Sequence, residues 1–134
     1  MYSFEEHTAD VKIVAEGRSF KEALQNLADA VISLLNENIK EDKRIIKKEF
    51  FFEAKFREDM VVGLLEDIIY NLEVERIVPE KVEIKDVDVD KMKIGYVVIG
   101  QRGVMENIIK AATFYKLSIK KELDKWRIEV VLDV

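Results

Sequence analysis

Ser19-Phe20-Lys21-Glu22-Ala23-Leu24-Gln25-Asn26-Leu27-Ala28-Asp29-Ala30-Val31 is the stretch whose reading decides the fold. It opens on a capping box, in which the Ser19 hydroxyl and the Glu22 carboxylate satisfy each other's orphan backbone amides. Behind the cap, Phe20, Ala23, Leu24, Leu27, Ala28, Val31, Leu34 and Leu35 recur at the helical period and mark one apolar face. The helix is expected to end in Asn36-Glu37-Asn38. Just upstream, Val11, Ile13 and Ala15 alternate with Asp10, Lys12, Val14 and Glu16, so a short strand precedes the helix and stops at Gly17. An amphipathic helix next to an alternating strand needs a sheet to cover.

The same two periods continue downstream. Ile45 to Phe56 reads as a second strand, with Phe50, Phe52, Ala54 and Phe56 on one side. A second helix is predicted from Asp59 to Glu73, where Val61, Leu64, Leu65, Ile68 and Leu72 share a face. Gly63 inside it lowers helix propensity by about 1 kcal/mol relative to alanine. After Pro79 the period becomes two: Val82 and Ile84, then Val87 and Val89, with a phase slip near Lys85-Asp86 that fits a bulge. Asp90-Lys91 turns into Met92, Ile94, Tyr96 and Val98. Gly100-Gln101-Arg102-Gly103 breaks the pattern and is read as a turn, and Val104 to Ile109 fits neither period clearly. Thr113, Tyr115, Leu117 and Ile119 form another strand, Asp124-Lys125 another turn, and Trp126, Ile128, Val130 and Leu132 the last strand. This order predicts one α+β domain over residues 1–134. It is a two-layer sandwich, with two amphipathic helices packed on a largely antiparallel sheet of about six strands.

Composition excludes several classes of function. The chain has no cysteine, which removes thiolate zinc sites, thiol catalysis and disulfides and points to the cytoplasm. Its apolar runs fall far short of the ~20 residues of a membrane helix. Met1 to Glu6 carry acid rather than base, so no signal or transit peptide is expected. A net charge of -5 argues against gripping a phosphate backbone, so no direct sequence-specific nucleic-acid binding is expected. It suits a metal ion or an electropositive protein partner. Charged residues make up 37% of the chain, above the usual ~25%, a bias that hints at a thermophile.

The residues that can carry chemistry lie near the two ends. Glu6-His7-Thr8-Ala9-Asp10-Val11 holds the sole histidine. His7 can be a metal ligand, a proton-transfer group, or a neutral imidazole bonded to the loop backbone beside Asp10. Thr8 reads as a turn hydroxyl. No nucleophile elbow accompanies His7, which leaves a Ser-His-Asp hydrolase without support. Gly100 to Gly103 lacks the Lys-Ser/Thr pair of a phosphate-binding loop. Phe51 points away from the main aromatic set, towards solvent or a partner surface. Strand parity puts Asp10 and Asp133 out of the core phase, and Lys110 out of phase with Thr113 and its companions. Asp133 is followed by the α-carboxylate of Val134. Such an all-oxygen set can chelate one hard cation and suits calcium better than zinc. The plainer reading is two solvated aspartates at strand ends.

Glu6-His7-Thr8-Ala9-Asp10-Val11, Lys110-Ala111-Ala112-Thr113-Phe114-Tyr115, and Trp126 through Val131-Leu132-Asp133-Val134 resemble the archease family, and the likeness covers nearly the whole chain. It implies a small cytoplasmic α+β protein that is not itself an enzyme. By that likeness the chain is an accessory factor to the GTP-dependent RNA-splicing ligase of the RtcB type. There it promotes guanylylation and multiple turnover in tRNA splicing. The resemblance also implies a divalent cation, calcium or a similar ion, held by Asp10, Asp133 and Val134. Lys110 is the residue implied in partner activation, and His7 is taken as a candidate for the same role. The chain departs from the family pattern at Ala112, Phe114-Tyr115 and Lys116, and in a short Gly100 to Ile109 loop. The rival reading is a chaperone-like modulator of RNA-processing enzymes without a metal-dependent role. An independent metallohydrolase would need further ligands and a base.

Overall fold

Helices and strands follow one another as β1 (Tyr2–Glu6), β2 (Asp10–Gly17), α1 (Phe20–Leu34), β3 (Ile39–Lys40), β4 (Ile46–Glu53), α2 (Arg57–Glu73), β5 (Ile77–Asp88), β6 (Lys93–Val104), β7 (Ala111–Glu122) and β8 (Lys125–Asp133). The structure, a computed structural model, describes residues 1–6, 10–35, 39–40, 44–104 and 111–133.

The strands form two antiparallel sheets. The first has the order β1-β2-β8-β7; in the second, β6 is the hub that pairs with β3, β4 and β5. The α+β class and the antiparallel pairing are as the sequence predicts. The described strands number eight, in two sheets. α1 packs against β2 and β5, and α2 against β7 and β5, so the helices tie the two sheets to one core. Ile13, Ala15, Ile128 and Val130 enter that core from the first sheet, and Ile94, Tyr96 and Val98 from the second. No described helix is long and apolar enough to cross a membrane.

Local sequence explains most element boundaries. The Ser19 side chain accepts the Glu22 amide at 3.0 Å, which caps α1. α1 ends at Leu34 with Leu35 as its cap, and the expected end at 36–38 lies outside the described residues. α2 starts two residues earlier than predicted, because the Asp59 carboxylate accepts the Phe56 amide at 3.1 Å and caps the helix there. Phe56 therefore belongs to the cap, more than half exposed, and not to the inner face of β4. Gly63 earns its place in α2: a Cβ there would stand 2.7 Å from the Phe52 ring. In β5 the register shifts between Ile84 and Asp86, where the sequence predicts a slip, and also between Pro79 and Lys81.

Three expectations need correction. β1 is absent from the sequence reading, yet it pairs with β2 from Tyr2↔Ala15 to Glu6↔Val11. Gly100 to Gly103 is not a turn, since β6 runs unbroken through it. Gly100 serves close approach, because a Cβ there would lie 2.3 Å from the Val78 carbonyl oxygen of β5. Finally, β7 is not a simple alternating strand. Its register with β8 jumps between Thr113 and Ser118, so parity cannot be carried from one side of the jump to the other.

Candidate functional site

Alternation along β2 and β8 sorts their side chains onto two faces, although Val14 and Val131 of the outer face are also buried. Ile13 and Ala15, with Ile128, Val130 and Leu132, are buried against the helices. The other face carries the register pairs Asp10↔Asp133, Lys12↔Val131, Val14↔Glu129 and Glu16↔Arg127. Asp10 and Asp133 are therefore direct cross-strand neighbours, with Cα atoms about 4.5–5.5 Å apart in such a ladder. Both are half-buried. Like charges directly opposite each other in a sheet repel.

Most of this outer face is balanced by ion pairs. Lys12 Nζ lies 3.8 Å from Glu129. Arg127 reaches Glu129 at 2.7 Å and Glu16 at 3.7 Å, and Lys125 also pairs with Glu16. The hydrogen bond from Arg127, reinforced by the charge of Lys12, holds the Glu129 carboxyl below the usual glutamate range. At the Asp10 end the described cation is Lys116, whose Nζ stands 3.7 Å from Asp10 Oδ2. Nothing in the sequence period singles out Lys116. It reaches Asp10 only through the register jump in β7.

β7 completes the arrangement from the other side. Ala111 registers with Asp133, which itself registers with Asp10, so positions 10, 133 and 111 form a row across three strands. Asp10-Val11, Ala111-Ala112 and Leu132-Asp133, one piece of each segment on which the archease resemblance rests, are neighbours at this sheet end. His7, Lys110 and Val134 lie outside the described residues. Two opposed carboxylates, oxygen donors on one face, fit part of the shell of a hard dication. Among the described residues no group of three or more His, Cys, Asp or Glu side chains is placed to hold a metal.

The chain matches the archease protein family (MTH1598/TM1083) over residues 2–134. It belongs to the archease family. Protein archease of Methanosarcina acetivorans is 29% identical over 140 residues, covering 99% of this chain and 95% of that one. Protein archease of Saccharolobus islandicus is 30% identical over 138 residues, covering 99% and 98%. The archease fold is also seen in two solved structures. The solution structure of Methanobacterium thermoautotrophicum protein 1598 superposes with a TM-score of 0.71 at 20% identity, covering 99% of this chain and 98% of that one. The crystal structure of a Thermotoga maritima archease, described as a possible chaperone, gives 0.66 at 23% identity, covering 100% and 98%.

The aromatic residues singled out in the sequence fall into two groups. Trp126 is buried against Phe20, with ring centroids 5.1 Å apart. The Arg57 and Lys121 cations lie over its ring at 5.2 and 5.4 Å. Phe51 is exposed on the outer face of the second sheet, lying over Gly95.

Proposed function

We propose that this chain is a non-catalytic, cytoplasmic accessory protein of the RtcB-type RNA-splicing ligase, promoting its guanylylation and repeated turnover in tRNA splicing. Membership of the archease family supports the accessory role. The observation that carries the reading is the row Asp10, Asp133 and Ala111, one residue from each of the three archease-like segments, at one sheet end. In this reading Asp10, Asp133 and Val134 hold a divalent cation, calcium by the all-oxygen donor set. When bound, the ion supplies positive charge that neutralises the opposed carboxylates and links the start of β2 to the end of β8. Lys110 and His7, next to that end in sequence, serve the contact with the ligase.

The test uses the ligase of the same organism with GTP, following ligase-GMP formation over many turnovers. Addition of the chain should stimulate turnover, and Asp10→Ala with an unchanged circular-dichroism spectrum should abolish that stimulation. Stimulation retained in Asp10→Ala would overturn the metal-dependent role. It would favour the second reading, a chaperone-like modulator that works without an ion. That alternative draws on the Thermotoga relative described as a possible chaperone and on the ammonium already beside Asp10.

A further inference from the structure

We propose that the Lys116 ammonium is a built-in counter-ion for the Asp10–Asp133 pair, and that a divalent cation enters this site by displacing it. The inference rests on the metal-binding reading above and names the residue that sets how tightly this chain binds the ion.

The sheet itself explains why Lys116 can do this. β7 and β2 flank β8 on opposite sides, about 9.6 Å apart at the usual strand spacing. In an uninterrupted ladder the β7 position level with Asp10 and Asp133 is 111, and a residue five further on would sit about 17 Å along the strand. The register jump removes much of that offset: the five residue steps from Thr113 to Ser118 span only the two from Val131 to Glu129. The extra residues are looped out of the ladder, and the Lys116 side chain can turn back across β8 to within 3.7 Å of Asp10 Oδ2.

The strength of the contact suits a displaceable partner. The Lys116 and Asp10 side chains are 38% and 29% exposed, so water screens their attraction and the pair is weak. A dication carries twice the charge of the ammonium and accepts several oxygens at once. Lysine also carries a flexible four-carbon stem, so it can swing into solvent without disturbing the strand. The ion must nevertheless evict or repel a resident positive charge. Binding is weakened by that amount.

The experiment is calorimetric titration of the full chain with calcium chloride, together with thermal unfolding in EDTA. The variants are Lys116→Met, Lys116→Arg and Asp10→Asn. Lys116→Met is expected to bind calcium about five- to tenfold more tightly than the unaltered chain, and Lys116→Arg to bind like it. In EDTA, Lys116→Met should unfold at a lower temperature, because the opposed carboxylates have lost their cation. Calcium should then raise its midpoint by more than it raises that of the unaltered chain. Equal or weaker calcium binding by Lys116→Met, or an unchanged midpoint in EDTA, overturns the counter-ion role while Asp10-dependent binding preserves the metal reading. Calcium binding that survives in Asp10→Asn, or is absent from every variant, overturns both.

Discussion

Gln25 of α1 and Ile84 of β5 are joined as neighbouring strands would be. The Ile84 amide donates to Gln25 Oε1 at 2.8 Å, and Gln25 Nε2 donates to the Val82 carbonyl at 2.7 Å. One side-chain amide thus stands in for a peptide group along the edge of β5 that β6 does not use, and it seats the helix on the second sheet. Exposed edges invite pairing with other chains. Here the helix supplies the partner.

Gln25→Ala should destabilise the protein by about 1–3 kcal/mol, the cost of leaving part-buried backbone groups unpaired. Gln25→Glu should be at least as harmful, since a carboxylate oxygen would then face the Val82 carbonyl. Urea denaturation at neutral pH measures both. A change within the error of the midpoint would refute this role for the amide.

Tyr96 links β6 to α2 through its phenol, which donates to Asp67. Burial first, and then the hydrogen bond to Asp67, push the phenol well above the usual tyrosine range. The folded protein therefore keeps a proton that the unfolded chain releases near pH ~10. The stabilisation is complete below that pH and declines as the pH rises beyond it. Tyr96→Phe should cost about 1–2 kcal/mol at neutral pH and flatten the alkaline decline attributable to this residue. Denaturation curves at neutral pH and at about pH 10.5 give both numbers.

Gly100→Ala should cost at least about 1–3 kcal/mol, the usual range for overpacking. The added carbon meets backbone, the Val78 oxygen at 2.3 Å and Pro79 Cα at 3.0 Å, so no rotamer change can relieve it. A variant as stable as the parent in urea denaturation would overturn this close-approach role for Gly100.

Arg127 holds the Glu129 carboxyl low by hydrogen bonding to it at 2.9 Å. A carboxyl depressed in the fold stabilises it fully above its ordinary pKa of about 4.3, and the contribution is lost as the pH falls below that through the folded-state value. Arg127→Met should lower the unfolding midpoint at neutral pH, and the difference should shrink towards about pH 3. A gap that persists unchanged in acid would assign the effect to packing of the arginine stem.

Much of this architecture was legible because it is written in short-range periods. Both helical faces, the β5 slip and the hairpin turns follow from residues a few positions apart. β1 escaped because Tyr2 to Glu6 is too short for its alternation to stand out. Gly100 misled because a missing side chain marks close approach as readily as a turn. Parity could place Asp10 and Asp133 off the core face, but their pairing is a long-range register fixed by the whole length of β2 and β8. Lys116 was illegible for a further reason. The jump in β7 that brings it to Asp10 arises from pairing with β8, and no local pattern records it.

The facing aspartates also limit how sequences of this kind can drift. Inserting or deleting one residue between Trp126 and Leu132 would reverse the orientation of everything beyond it, driving Asp133 into oil and an aliphatic neighbour into water. The Leu123-Asp124 bend sits upstream of that count and can change length without moving it. Indels should therefore accumulate at the bends, while the spacing from Trp126 to Asp133 is inherited intact.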